Sequence, residues 1–81
     1  TQKTQQNIGY LPENNPLYLD MLVYDYLAMT GKLYGVSKKD IRGKVEKTAQ
    51  SVGLKSKLGR PINELSKGYK QRVGLAAAMI H

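Results

Sequence analysis

Leu65-Ser66-Lys67-Gly68-Tyr69-Lys70-Gln71-Arg72, running into the apolar stretch Val73-Gly74-Leu75-Ala76-Ala77-Ala78-Met79-Ile80, decides how this chain is read. A serine, a glycine two residues on and then a periodic apolar pattern describe the start of a helix that can receive an anion. Ser66 is a good N-cap, because its hydroxyl oxygen accepts from a backbone N–H of the first turn. Gly68 carries no Cβ, so a ligand can approach the backbone closely. The N–H groups at a helix start and the positive end of its dipole both favour phosphate there. Lys67, Lys70 and Arg72 add formal charge nearby. By spacing alone this is an ordinary capped helix with basic first turns, and a Ser-x-Gly triplet is not specific.

The full octet is more specific than its parts. It resembles the signature motif of ABC-transporter ATPases, written Leu-Ser-Gly-Gly-Gln and often continued by a basic residue, Gln and Arg. Leu65, Ser66, Gly68, Gln71 and Arg72 match; Lys67 stands where that motif has glycine, and Tyr69 where it has glutamine. The Lys-Gly variant is similar to ATPase subunits of the drug-exporter and gliding-motility type.

A second segment, Asn7-Ile8-Gly9-Tyr10-Leu11-Pro12-Glu13-Asn14, resembles the strand and turn that lead into the Q-loop of the same family. Ile8, Tyr10 and Leu11 suit a short strand, and Pro12 ends its ladder by removing a donor. The Asn14-Asn15 pair and Pro16 continue the turn. The family usually has glutamine after this proline, where it reaches the magnesium and the attacking water. Here that residue is Glu13, which also offers oxygen but adds a negative charge. By itself Glu13 reads as a solvated loop carboxylate.

Between these segments the chain reads as helices. Met21 to Leu33 carries Leu22, Tyr26, Met29 and Leu33 at helical spacing, with Val23, Leu27 and Tyr34 broadening the stripe, Asp20 near its start and Gly35 as its stop. Gly31 costs helicity late in that helix. Ser37 with Asp40 is capping-box-like, and Asp40 with Lys44 makes an exposed i,i+4 pair. Ile41, Val45, Ala49 and Val52 then form one apolar face that ends at Gly53. A connector from Leu54 to Glu64 has Gly59, Pro61 and Asn63 as turn residues, with Leu54, Leu58 and Ile62 available to pin it down. In the last helix Tyr69, Val73, Ala76 or Ala77, and Ile80 make one stripe.

Composition sets outer bounds. Eighty-one residues with 41% hydrophobic content allow one small domain with a modest core. No apolar run approaches the roughly 18 to 20 residues needed to span a bilayer, and no secretory leader is visible. The absence of cysteine excludes disulfides and thiolate metal sites. The single histidine, His81, makes neither a metal site nor a Ser-His pair. A net charge of +7 raises nucleic-acid binding as a competing function. The basic residues are dispersed, however, without an aromatic-basic stacking pattern or a finger. A small basic helical module reading DNA through the helix after Ser66 is the alternative.

The resemblance implies a small all-α subdomain of three to four helices with one short N-terminal strand, excised from an α/β P-loop ATPase. It divides the chain into the strand and approach to the Q-loop (residues 1–13), a helical insertion (14–64), and the signature motif with its helix (65–81). No Gly-x-x-x-x-Gly-Lys-Ser/Thr loop occurs, and no apolar strand ending in Asp-Glu follows the last helix. The chain alone is therefore expected neither to hydrolyse ATP nor to bind it tightly. The parent is expected to use ATP and Mg2+ in a head-to-tail dimer. Leu65, Ser66, Lys67, Gly68 and Tyr69 would contact nucleotide held by the second ATPase subunit. The loop from Glu13 to about Tyr18 would press on a transmembrane permease subunit. Such a parent works in the cytoplasm at the inner face of the membrane, with no specific nucleic acid as partner.

Overall fold

The computed structural model describes residues 16–80, with side chains from Tyr18 onward. The expected strand at Ile8 to Leu11, Glu13 of the Q-loop segment, and His81 lie outside the described residues. Within them the chain is all-α, as the sequence implies. The helices are α1 (Pro16–Leu19), α2 (Val23–Leu33), α3 (Ile41–Ser51) and α4 (Lys67–Met79), with 3-10 turns at Lys55–Lys57 and Ile62–Glu64 between α3 and α4. α1 is a single turn. The longer helices pack pairwise, α2 against both α3 and α4, and α3 against α4.

α2 begins later than its apolar pattern suggests, and Asp20 does not cap it. The N-cap is Leu22 in extended conformation (φ −67°, ψ 148°), with no side-chain cap. Backbone from the connector replaces the missing cap: the N–H groups of Val23 and Tyr24 donate to the carbonyls of Arg60 (2.9 Å) and Leu58 (3.0 Å). In return Ile62 N–H donates to the Met21 carbonyl at 2.9 Å, which leaves Leu22 and Pro61 in an isolated antiparallel bridge. The Asp20 carboxylate instead accepts from Asn63 Nδ2 at 3.3 Å. Orphan donors at a helix start need partners from somewhere, and a distant loop serves here.

The buried face of α2 is also rotated from the expected stripe. Val23, Tyr26, Leu27, Thr30 and Gly31 turn inward, whereas Leu22 is 38% and Leu33 61% exposed and Met29 is half-buried. Two small residues explain the rotation. Thr30 is buried because its hydroxyl donates back to the Tyr26 carbonyl at 2.9 Å, satisfying its polar atom within the helix. Gly31 leaves room for neighbouring side chains: a Cβ there would lie 2.5 Å from Ile41 Cδ1 and 3.6 Å from Ile80 Cδ1.

The expected apolar face of α3 is present, with Ile41, Val45 and Ala49 buried and Val52 half-buried at the C-cap. Its start differs from a capping box. Asp40 has near-helical backbone angles (φ −98°, ψ −12°), and its carboxylate receives the Ser37 hydroxyl at 2.9 Å rather than a helix N–H. The exposed i,i+4 pair on α3 is Arg42 with Glu46 at 3.5 Å, rather than Asp40 with Lys44. Exposed pairs of this kind contribute a few tenths of a kcal/mol.

Both helix ends predicted at glycine are Schellman caps. After α2, Val36 N–H donates to Gly31 O and Gly35 N–H to Lys32 O, both at 3.0 Å. After α3, Leu54 N–H donates to Ala49 O (2.8 Å) and Gly53 N–H to Gln50 O (3.3 Å). Gly35 (φ 94°) and Gly53 (φ 76°) supply the left-handed residue that the motif requires.

The core is one cluster in which Val23, Leu27, Val45, Leu54, Ile62, Val73 and Ile80 are fully buried. Leu54 and Ile62 do pin the connector, as expected, while Leu58 is half-buried. Each such aliphatic side chain contributes about 1.5–3 kcal/mol on burial.

Candidate functional site

The connector decides where α4 begins. Leu65 N–H donates to the Ile62 carbonyl at 3.0 Å, closing the second 3-10 turn, and the Leu65 side chain is buried. Leu65 (φ −84°, ψ 151°) and Ser66 (φ −63°, ψ 164°) are extended, and the helix starts at Lys67. Leu65 is thus an anchor under the turn, and the residues after it emerge at the surface.

Ser66 is the N-cap that its sequence context predicts. Its Oγ accepts from Tyr69 N–H at 3.3 Å, while the Ser66 carbonyl accepts from Lys70 N–H at 2.9 Å. A hydroxyl that accepts one hydrogen bond still has its own proton to donate. Ser66, Lys67 and Gly68 are all exposed. At Gly68 an added Cβ would meet nothing within 4 Å, so the space over its backbone is open. The arrangement fits a tetrahedral oxyanion: an outward hydroxyl, first-turn amides without intrahelical acceptors, and room for close approach.

Tyr69 is half-buried and gathers cations. Arg72 Cζ lies 5.4 Å and Lys57 Nζ 5.0 Å from its ring centroid. The basic residues are dispersed along the sequence, and the fold brings these two together over one ring. Tyr69 and Arg72 are i and i+3 on α4, a signal the sequence did contain. Lys57 arrives from the connector, and nothing local announces it. Within the five residues expected to face nucleotide, then, Ser66, Lys67 and Gly68 form one exposed surface. Leu65 lies beneath it, and Tyr69 stands beside it under a positive cover. Glu13 lies outside the described residues. Among the described residues no group of three or more His, Cys, Asp or Glu side chains is placed to hold a metal ion, and no helix is long and apolar enough to cross a membrane.

An open groove of about 490 Å³ runs along α2, lined by Tyr24, Asp25, Ala28, Met29, Lys32, Leu33 and Ile41. It contains none of the octet residues.

Comparison with known proteins adds an independent line. The family model described as ABC transporter matches residues 1–81. YxlF of Bacillus subtilis (strain 168), an uncharacterized ABC transporter ATP-binding protein, is 38% identical over 74 residues, covering 91% of this chain and 25% of its own length. The molybdate/tungstate import ATP-binding protein WtpC of Pyrococcus horikoshii is 36% identical over 76 residues, 94% of this chain and 22% of that protein. The linearmycin resistance ATP-binding protein LnrL of Bacillus subtilis (strain 168) is 30% identical over 81 residues, 100% of this chain and 26% of that protein. The chain thus spans about a quarter of the length of the curated relatives it matches. No solved structure matches it. The octet at the head of α4 and the match along the whole chain agree: this chain belongs to the ABC transporter family, among its ATP-binding subunits.

Proposed function

We propose that this chain is the helical subdomain of an ABC-transporter ATPase, and that the head of α4 contacts the γ-phosphate of ATP bound to a second subunit. The observation that carries the proposal is the capped, open start of α4. Ser66 accepts from Tyr69 N–H and keeps its own proton for an oxyanion, and nothing stands over Gly68. Lys67 adds a flexible positive charge at the same end. A single helix start encloses too little of a nucleotide to bind it tightly, so the remaining groups must come from the partner's phosphate loop. In this reading the chain alone is inactive, and the intact subunit hydrolyses ATP with Mg2+ as part of a head-to-tail dimer.

Glu13 is assigned to the Q-loop position on its sequence context, where its carboxylate would serve the metal and water side of the nucleotide. The segment from Glu13 to about Tyr18 is assigned to contact with a transmembrane permease subunit, which places the intact assembly at the cytoplasmic face of the membrane. The segment boundaries at residues 13 and 64 follow from the same reading. The Lys67-Gly68 pair is read as of the drug-exporter and gliding-motility type, and LnrL, named for linearmycin resistance, is a relative consistent with the former. WtpC is named for import, so the proposal concerns the ATP-driven step and carries no cargo.

The test is made in the full-length subunit. Ser66→Ala is expected to remove a charge-assisted hydrogen bond worth roughly 1.5 to 3 kcal/mol from the assembled site. Gly68→Asp is expected to be worse, because it adds bulk and negative charge over the open backbone. Both should lower kcat and nucleotide-driven dimerisation, with ATP binding at the same subunit's own phosphate loop retained. A pure helix cap would instead lose about 1 kcal/mol of stability and keep its turnover. Normal ATPase activity per folded molecule in both variants would refute the assignment.

A further inference from the structure

The stack on Tyr69 ties together three parts of the chain. Arg72 is one turn beyond Tyr69 on α4, and i,i+3 spacing puts both on one face of the helix. Its guanidinium lies within cation–π distance of the ring, as does the Lys57 ammonium from the first 3-10 turn. Arg72 reaches further. Its Nη1 lies 3.5 Å from the carbonyl of Val52, the C-cap residue of α3. Helix C-termini leave carbonyls without intrahelical donors and carry the negative end of the dipole, so a cation is favoured there. Gly53 makes the approach possible: a Cβ at this position would sit 2.6 Å from Arg72 Nη1.

We infer that Arg72, together with Lys57, is a positioning residue for the head of α4. The two cations clamp the Tyr69 ring, and Arg72 ties it to the end of α3. Tyr69 N–H in turn holds Ser66 Oγ. The orientation of the Ser66 hydroxyl toward an incoming phosphate therefore depends on contacts made well away from the phosphate. The inference rests on the phosphate-facing role proposed for Ser66 and Gly68. Tyr69 stands where the family's motif carries glutamine, so this clamp is built from this chain's own departure from that motif.

The experiment compares Arg72→Ala, Arg72→Lys, Lys57→Ala and Ser66→Ala in the full-length subunit, with Arg72→Ala also made in a Tyr69→Leu background. Steady-state kcat and KM for ATP are measured per folded molecule. Arg72→Ala is expected to lower kcat about tenfold at near-constant KM, because small misplacements of a positioned group are costly to turnover. Lys57→Ala should act in the same direction more weakly. Arg72→Lys keeps a cation over the ring and should recover much of the loss. In the Tyr69→Leu background, Arg72→Ala should cost about twofold or less, since the coupling runs through the ring. Full kcat in Arg72→Ala beside an impaired Ser66→Ala would overturn the positioning role and leave the phosphate contact standing. Full kcat in both would remove the phosphate contact itself. Equal losses from Arg72→Ala with and without Tyr69 would show Arg72 acting independently of the ring, which also overturns the inference.

Discussion

Gly31 carries more of the fold than its helix position suggests. An interior glycine costs about 1 kcal/mol of helix propensity relative to alanine, so the sequence marks it as a weakness. The structure gives the compensation, because the helix surface at Gly31 is where Ile41 and Ile80 are seated. Gly31→Ala would recover the propensity but push Ile41 Cδ1 from its place, and overpacking of this kind costs about 1–3 kcal/mol. The single variant is expected to be less stable than the parent by up to about 2 kcal/mol, the difference of those two effects. Removing the offending methyl with Ile41→Val should reverse the sign of the alanine's contribution. A urea melt in which Gly31→Ala is equally harmful with Ile41 and with Val at position 41 would contradict the assignment of the clash. The phase of α2 differs from its apolar pattern for the same reason: hydrophobicity favours Leu22 and Leu33 for the core, whereas close approach selects Gly31 and an internally satisfied hydroxyl admits Thr30.

At the scale of elements, the helix ends were more legible than the helix starts. Gly35 and Gly53 announce left-handed C-caps because almost no other residue adopts that conformation cheaply. Ser66 was legible too, as a hydroxyl side chain directly before a periodic helix. The start of α2 was not, because its cap is the backbone of Leu58 and Arg60, and carbonyls are identical in every residue. Likewise Lys57 over Tyr69 is a tertiary contact across the connector, with no local periodicity to mark it. The octet marks the exposed head of α4 in the sequence, whereas the two cations over Tyr69 beside it come together only in the fold. The two glycine caps give a paired prediction. Gly35→Ala places a Cβ in open space, so its cost is the left-handed backbone alone, about 1–2 kcal/mol. Gly53→Ala incurs the same backbone cost and also displaces Arg72. It should therefore be the more destabilising of the two in thermal melts. Equal melting temperatures would mean that Arg72 gives way freely at this point.

Over the whole molecule, α2 is the element around which the others assemble, and Tyr26 lies at its centre. The ring is buried, with Tyr18 from α1 edge-on at 5.4 Å between centroids and an interplanar angle of 72°. Burial pushes the Tyr26 hydroxyl up to about 12; the neighbouring Tyr18 and Tyr34 act in the same direction, and hydrogen bonding to Thr30 opposes them. A phenol in the unfolded chain ionises near 10. The folded state therefore holds its proton more tightly than the unfolded state does, and between those values the unfolded chain binds fewer protons. Stability is then fully present below about pH 10 and falls as pH rises toward 12. The consequence belongs to the whole fold, because Tyr26 is part of the single core cluster and Tyr18 of α1 packs against its ring. Tyr26→Phe keeps the packed ring and removes the ionisable group. The variant should lose less stability than the parent between pH 10 and pH 12, even if the lost hydroxyl lowers its stability at neutral pH by about 1 kcal/mol. Every other group is common to both proteins and cancels in the comparison. Urea melts at stepped alkaline pH measure the difference directly. Parallel loss of stability in parent and Tyr26→Phe would place the alkaline weakness elsewhere, and would mean that the Tyr26 hydroxyl already meets water in the folded chain.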